Sequence, residues 1–107
     1  MTFRVVILHS AKNDLKDIKS YLIRQFSTST WQQFYDALKQ AIRRLETQPF
    51  AGSIPEEIEK LNLSQYRQVV SGMNRIIYEI RDQIIYVHII ADTRKNLQAL
   101  LLRNLTQ

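Results

Sequence analysis

The side chains best suited to bind a charged partner are five cations in the C-terminal half of the chain. They lie in, or directly after, three strand-like runs, and they are Arg67, Arg75, Arg81, Arg94 and Lys95. Three antiparallel strands can bring such side chains onto one surface, where they would bind RNA phosphates or an acidic protein segment. The other interpretation is that they are solvated and discourage the pairing of sheet edges. Arg75 favours binding, because it opens a strand directly before a run of apolar residues.

The charge balance agrees with an acidic partner. Fifteen Lys and Arg residues against ten Asp and Glu give a formal net charge of +5, and the isoelectric point calculated from the sequence is near 9.7. A basic chain of this size favours nucleic acid or a negatively charged protein as its partner.

Residues for nucleophilic and metal chemistry are sparse. The chain has no cysteine, which excludes disulfides, thiolate nucleophiles and zinc sites built on cysteine. His9 and His88 have no further ligand at metal-binding spacing, and we predict that both are structural. The sequence therefore predicts no metal site.

The remaining polar motifs also give no catalytic signature. Glu56, Glu57 and Glu59 are contiguous enough to suggest acid–base work, but such a run on a connecting segment is more often a solvated face. Gly52 and Gly72 are isolated, so the chain lacks a phosphate-binding glycine loop. These observations exclude nucleotide-dependent enzymes and predict no cofactor.

The length predicts one domain, residues 1–107, because a chain of 107 residues supports a single core. The amino-terminal apolar stretch has no small-residue cleavage site, and no run approaches the length of a membrane span. We therefore expect a cytoplasmic protein without a membrane partner.

The first half of the chain predicts a strand followed by a helical hairpin. The β-branched run Phe3 to Leu8 is typical of a strand that is buried on both faces, and Ser10 is predicted to cap the helix that follows. Leu15, Ile18, Leu22 and Phe26 recur at helical spacing. After the break at 27–30, Thr30 and Gln33 match a capping box, and an apolar stripe runs from Trp31 to Leu45.

The second half predicts an antiparallel meander and a closing helix. A connection over 49–64, with a helical turn at Glu56–Glu59, leads to strands at Tyr66–Ser71, Arg75–Arg81 and Ile84–Ala91. In the middle strand, Ile76, Tyr78 and Ile80 are predicted to pack on the helices, while the face that carries Arg75, Ile77, Glu79 and Arg81 is predicted to be polar. The fold class is α+β, with the order β-α-α-β-β-β-α and a meander packed on a helical hairpin.

The closing helix carries more leucines than one narrow stripe needs. They are Leu97, Leu100, Leu101, Leu102 and Leu105. Either they form a wide arc that faces the core, or some of them form a patch that receives an apolar segment of a partner.

The order and spacing of these elements resemble the RelE/ParE superfamily of bacterial toxins. The resemblance rests on Val5–Leu15 with Ser10, Ala11 and Asp14, on Leu45-Glu46-Thr47-Gln48-Pro49 followed by Gly52, on Arg75-Ile76-Ile77-Tyr78-Glu79-Ile80, and on Asp92–Leu97. It implies the toxin of a type II toxin–antitoxin operon of the plasmid-stabilisation kind. A cognate antitoxin would hold the toxin inactive, and Leu97, Leu100 and Leu101 are the residues expected to bind it.

The RelE-like branch cuts mRNA in the ribosomal A site without a metal. Arg67, Arg75 and Arg94 match basic positions of that branch and would be its catalytic cations here. Val69 and Leu100 depart from the pattern, because they stand where a lysine and the C-terminal tyrosine would be. The aromatic or imidazole candidates for proton transfer on that face are Tyr66, Tyr86 and His88.

The ParE-like branch is not a nuclease and poisons DNA gyrase. The two departures, together with the leucine-rich helix after Arg94 and Lys95, favour this branch. The resemblance thus implies a growth-inhibiting, gyrase-directed toxin, which on this branch is not an enzyme. The alternatives are a RelE-like mRNA interferase, whose target is the ribosome with its mRNA, and a non-toxic binding remnant of such an operon.

Overall fold

The computed structural model describes residues 2–105 and shows one four-stranded sheet with helices on both sides. The strand order is β1-β4-β3-β2, with β1 parallel to β4 and the other pairs antiparallel. This architecture confirms the predicted α+β fold. The elements are β1 (Arg4–Ile7), α1 (His9–Gln25), α2 (Thr28–Leu45), α3 (Glu56–Glu59), β2 (Tyr66–Ser71), β3 (Asn74–Arg81), β4 (Ile84–Asp92) and α4 (Leu97–Leu105).

The predicted role of Ser10 as a helix cap is wrong. Helix α1 begins at His9 after Leu8, which makes no side-chain cap. The Oγ of Ser10 instead donates to the carbonyl oxygen of His88 at 2.7 Å, and Oδ2 of Asp14 accepts the amide N–H of Ile90 at 3.0 Å. Strand β1 pairs with β4 only as far as Ile7 and Val87, so side chains of α1 continue the hydrogen bonding along β4. Burial raises the pKa of the Asp14 carboxyl.

Helix α2 also begins earlier than the predicted capping box. Ser27 is its N-cap, and its side chain accepts the amide N–H of Thr30 at 3.0 Å. Thr30 is therefore the capped residue and lies inside the helix. Only two residues, Phe26 and Ser27, therefore link α1 to α2, and the two helices form the predicted hairpin.

The hairpin face of the sheet is the side that packs against α1 and α2. Ile76 and Tyr78 are fully buried there and Ile80 is partly buried, as the alternation of β3 predicts. The buried members of this cluster are Ala11, Leu38, Leu45, Ile76, Tyr78, Ile85, Val87 and Ile90. Strand β1 contributes Val5 and Ile7 but is only half-buried, because it lies at the sheet edge rather than between two strands. The prediction that it is buried on both faces is wrong.

The opposite face of the sheet is not polar throughout, which corrects the prediction from β3. Helices α3 and α4 cover one end of it with a second apolar cluster. Its buried members are Ile58, Tyr66, Ile77, Ile89, Ala91, Leu97 and Leu101. The alternation within β3 identified the two faces correctly, but it carried no information about which helices return to cover the second one.

A β-bulge interrupts the pairing of β3 with β4. Ile77 pairs with Ile89 and the next residue, Tyr78, pairs with Val87, so His88 is the extra residue. Val87 and Ile90 both belong to the hairpin-face cluster, which leaves His88 and Ile89 together on the opposite face. A bulge re-aims a side chain in this way. Among the described residues, no helix has the length and apolar character to cross a membrane.

Candidate functional site

The five predicted cations do not form one continuous surface. Arg75 and Arg81 lie at opposite ends of β3, which separates their Cα atoms by about 20 Å. Arg67 pairs with Tyr78 and so lies on the hairpin-face side of the sheet. Arg94 and Lys95 follow the end of β4 and are exposed. The strands therefore distribute these charges over two faces and two ends of the sheet.

Arg75 is a buried clamp rather than a surface residue. Its side chain is 6% exposed, and its two Nη atoms bind the Glu57 carboxylate at 2.9 and 3.1 Å. The same atoms donate to Oε1 of Gln68 at 3.3 Å and to the carbonyl oxygen of Lys95 at 2.7 Å. Arg75 thus connects α3, β2 and the segment that leads into α4. A target-binding role for Arg75 stays a prediction, and its burial argues against direct contact with a partner.

Arg67 stabilises the loop between α2 and α3. Its Nη1 donates to the carbonyl oxygen of Gly52 at 2.7 Å, and its guanidinium lies 5.1 Å from the ring centre of Phe50. The buried hydroxyl of Tyr78 donates to the Pro49 carbonyl oxygen at 2.7 Å and accepts the Gly52 amide N–H at 3.0 Å. A Cβ atom on Gly52 would lie 2.5 Å from the Tyr78 hydroxyl, so only glycine fits. Burial raises the pKa of Tyr78.

Arg94 is the most accessible of the arginines predicted to bind a target. Its side chain is 78% exposed, and Nε and Nη2 bind the two carboxylate oxygens of Asp92 at 2.8 and 2.9 Å. The backbone amide of Arg94 donates to the same carboxylate at 2.8 Å. These hydrogen bonds, and the positive charge of Arg94, hold the pKa of Asp92 well below its ordinary value. Arg94 is therefore exposed but held in one orientation.

Five polar and aromatic side chains meet on the opposite face at the border of the end that α3 and α4 cover, and we name them the sheet-face cluster. They are Tyr66, Glu79, Arg81, Tyr86 and His88. Tyr66 and Tyr86 are the register partners of Glu79 on its two neighbouring strands. Oε1 of Glu79 lies 2.9 Å from Nε2 of His88 and 3.5 Å from Nη2 of Arg81. The Arg81 guanidinium lies 4.3 Å from the ring centre of Tyr86.

The sheet-face cluster has the groups needed for proton transfer and anion binding. Glu79 and His88 are 16% and 17% exposed, so the carboxylate fixes the imidazole in a partly desolvated setting. The ring of Tyr66 meets His88 edge to face at 5.2 Å. Burial, and then the charge of Glu79, raise the pKa of Tyr66. An oriented imidazole beside an arginine can move a proton next to a bound anion.

Sequence reasoning named the other four members of the sheet-face cluster but gave no role to Glu79. The alternation of side chains along β3 already placed Glu79 and Arg81 on one face. The sequence did not show the strand register, which sets Glu79 between Tyr66 and Tyr86, or the bulge, which brings His88 beside Glu79. Among residues 2–105, no three His, Asp or Glu side chains converge as metal ligands would.

The leucines of α4 divide between core and surface. Leu97 and Leu101 are buried in the second apolar cluster, and Leu100 packs partly against it. Leu102 is 64% exposed. The side chain of Leu105 is outside the described part of the chain. The wide core-facing arc therefore accounts for Leu97 and Leu101, and their predicted contact with an antitoxin stays a prediction.

Comparison with known proteins identifies the family. The family model described as the ParE toxin of the type II toxin–antitoxin system parDE matches residues 5–97. The chain belongs to the ParE toxin family. This match confirms the predicted resemblance to the RelE/ParE superfamily and favours its ParE-like branch, as the sequence did. No protein with a curated description matches this ParE-family toxin.

Two solved structures share the fold of this ParE-family toxin. The chromosomal ParDE toxin–antitoxin system from P. aeruginosa gives a TM-score of 0.71 at 12% identity, covering 85% of this chain and 96% of that one. The RelBE2 toxin–antitoxin complex from Mycobacterium tuberculosis gives 0.60 at 15% identity, covering 86% and 99%. At such identities the likeness concerns the fold alone.

Proposed function

We propose that this ParE-family toxin inhibits DNA gyrase and is neutralised in the cytoplasm by a cognate antitoxin. The observation that carries this proposal is the position of the three arginines that match the RelE-like nuclease. Arg75 is buried in a clamp, and Arg67 binds a loop on the hairpin-face side of the sheet. These two positions disfavour convergence of the three arginines on one phosphate, which supports the gyrase-directed branch over the nuclease branch.

The segment from Arg94 into α4 is the proposed contact with gyrase. This segment is exposed and begins with basic residues. Three contacts hold it in place: the Arg75 side chain binds the Lys95 carbonyl, Asp92 binds Arg94, and the side-chain amide of Gln98 donates to the Glu57 carbonyl oxygen at 2.6 Å. A charged segment that the fold holds rigid loses little conformational entropy when it binds. This rigidity supports a role in recognition.

The antitoxin is proposed from two observations. Both similar structures belong to toxin–antitoxin systems, and the net charge of +5 complements an acidic segment. Leu102, which is 64% exposed, offers apolar area on the outer side of α4, and the half-buried Leu100 borders it on the core side. Neutralisation by such a partner is also what a plasmid-stabilising function requires, because the toxin must stay inactive until the partner is lost.

Induction of the chain without its antitoxin tests the function. The proposal expects SOS induction with filamentation, and purified protein should block supercoiling by gyrase. Arg94→Ala should weaken this inhibition, while the matched control Arg43→Ala, at the far end of the helical hairpin, should retain it. Rapid loss of translation with intact supercoiling would contradict the proposal, and absence of any toxicity would favour the non-toxic remnant.

A second candidate function, metal-independent RNA cleavage, is favoured by the sheet-face cluster. His88 would take the proton of a ribose 2′-OH, and the 2′-oxygen would bond to phosphorus as the bond from phosphorus to the 5′-oxygen breaks. Tyr86 would give a proton to the departing 5′-oxygen, and Arg81 would bind the phosphate. Cleavage of mRNA on translating ribosomes that is lost in His88→Ala and reduced in Tyr86→Phe would establish this function instead. Arg44→Ala, which changes an exposed cation elsewhere, is the matched control.

A further inference from the structure

A groove runs between the two helices of the hairpin, on the side away from the sheet-face cluster. We name it the hairpin groove. It is open to solvent and has a volume of about 430 Å³. Helix α1 contributes Lys12, Leu15, Lys16 and Lys19 to its lining, and helix α2 contributes Trp31 and Tyr35. Neither the proposed contact with gyrase nor the RNA-cleavage alternative uses these residues.

The charge of the hairpin groove has one sign. Lys12, Lys16 and Lys19 are spaced by four and three residues, so they form a row on one helix face about 10 Å long. Like charges at this spacing disfavour the helix slightly, and no carboxylate belongs to the lining. The nearby Asp36 is engaged by Lys39 at 3.7 Å and by the Gln32 amide at 3.0 Å. The row therefore presents a positive field that a polyanion would complement.

The floor of the groove is aromatic. The rings of Trp31 and Tyr35 stack at 5.2 Å with an interplanar angle of 18°. The Nζ atom of Lys19 lies 5.7 Å from the Trp31 ring centre, and Nζ of Lys39 lies 4.8 Å from that of Tyr35. The one aliphatic side chain in the lining is Leu15. Both ammonium groups lie over the ring faces, so a planar base can replace them on the rings while they pair with its phosphate, an exchange that the apolar ridge of a partner helix does not offer.

We propose that the hairpin groove binds single-stranded nucleic acid. Phosphates lie along the three lysines of α1, and one or two unpaired bases stack on the Trp31–Tyr35 pair. A duplex also presents phosphates to the lysines, but its bases are stacked inside the double helix, so they cannot stack on the two rings. The inference is independent of the proposed action on gyrase, because it uses different residues and a different ligand.

Fluorescence titration of the full chain tests the proposal directly. Trp31 is the only tryptophan in the sequence, so its emission reports on the groove alone. An oligothymidylate of about ten nucleotides should quench that emission. Three phosphate contacts predict that the logarithm of the association constant falls with the logarithm of the salt concentration with a slope of about −2.

Variants separate this site from general electrostatic attraction. Lys16→Gln should weaken binding several-fold, and the triple change of Lys12, Lys16 and Lys19 to Gln should abolish it. Lys60→Gln, at an exposed position in the α3 region, is the matched control and should leave the affinity unchanged. Tyr35→Phe should preserve the stack and the affinity, whereas Tyr35→Leu should weaken binding roughly five- to hundredfold. Circular dichroism identifies any variant that does not fold. If a Tyr35 variant does not fold, the lysine variants, whose side chains face solvent, still test the proposal.

Three results would overturn the proposal. One is equal affinity for a duplex of the same length. Another is tighter binding of a glutamate-rich peptide of matched charge, which would make the groove a protein-docking site. The third is an unchanged affinity in the triple lysine variant. Arg94→Ala should bind the oligonucleotide normally even if it has lost action on gyrase, which keeps the two proposals distinguishable.

Discussion

The two faces of the sheet differ in how they use the same strands. The hairpin face packs against α1 and α2 and carries one apolar cluster. The opposite face is divided between an apolar end under α3 and α4 and a polar end that carries the sheet-face cluster. The bulge at His88 lies where the two patterns meet. The hairpin face thus serves packing, whereas the opposite face combines packing at one end with polar side chains at the other, so substitutions in these regions should differ in the size of their effect.

The largest effect is expected on the hairpin face. Leu38 is fully buried between the helices and the sheet, and Leu38→Ala should lower the free energy of unfolding by about 2–5 kcal/mol because it leaves a cavity. Urea denaturation measures this change. Leu102→Ala, at a leucine that is 64% exposed, is the control and should change the stability little. Equal effects of the two substitutions would contradict the described core.

A smaller loss is expected at the covered end of the opposite face. Glu57→Gln removes the anion that faces the buried guanidinium of Arg75, which should cost about 1–3 kcal/mol. The expected loss of stability is smaller than for a fully buried ion pair, because the Glu57 side chain is 42% exposed. Glu56→Gln, one residue earlier and exposed, is the matched control. If both substitutions left the denaturation midpoint unchanged, Arg75 would not be a clamp.

The polar end should show a weaker, pairwise coupling. A double-mutant cycle on Glu79 and His88, with Glu79→Gln and His88→Ala, should give a coupling energy of about 0.5–1.5 kcal/mol because the pair is mostly shielded from water. The exposed pair Asp36 and Lys39 serves as the reference, and its coupling should stay below about 0.5 kcal/mol. A coupling no larger than that of the reference would mean that the sheet-face cluster is not preorganised.

The smallest effect is a pH dependence at the exposed end of β4. Arg94 lowers the pKa of Asp92 in the folded state, so the contribution of this pair to stability is present above the ordinary aspartate pKa of about 3.9 and is lost as pH falls towards the lowered value. NMR titration of the Asp92 carboxyl should show protonation only at strongly acidic pH. In Arg94→Gln its pKa should return towards the ordinary value, while Arg43→Gln should have no influence. An ordinary pKa in the unaltered protein would contradict the bidentate geometry.

The main elements were predictable because their patterns are periodic and local. Helical spacing from Leu15 to Leu22 and the short links between the last three strands determine the hairpin and the meander. Phe26, which the spacing placed in the same stripe, instead follows the end of α1 and is 64% exposed. The caps were harder to predict, because Ser10 lies inside α1 rather than before it, and because several hydroxyl residues lie together at the start of α2, where any of them could accept the first amide. Ser10 bonds to β4 and Ser27 caps α2, and only the positions of distant elements distinguish these roles.

The candidate site was less predictable than the fold. The sequence predicted that Arg75 binds a partner at the surface. Its burial depends on Glu57, which lies eighteen positions away in the sequence, in a run of glutamates that was predicted to be solvated. Glu79 gained its neighbours through strand register, and His88 gained its position through a bulge. A bulge shifts the alternation of a strand by one residue, but Ile89 and Ile90 are both apolar, so the shift at His88 was not visible in the sequence of β4.

The hydrogen bonds from Ser10 and Asp14 to β4 have a consequence for how the protein behaves at high concentration. Beyond Val87, the edge of β4 would offer free backbone groups to a strand of another molecule, which is the usual start of intermolecular sheet growth. Helix α1 occupies that edge with a hydroxyl and a carboxylate. The central strand is thereby closed to foreign chains over the stretch that carries the bulge. The two side chains thereby protect the part of β4 that the short β1 leaves unpaired.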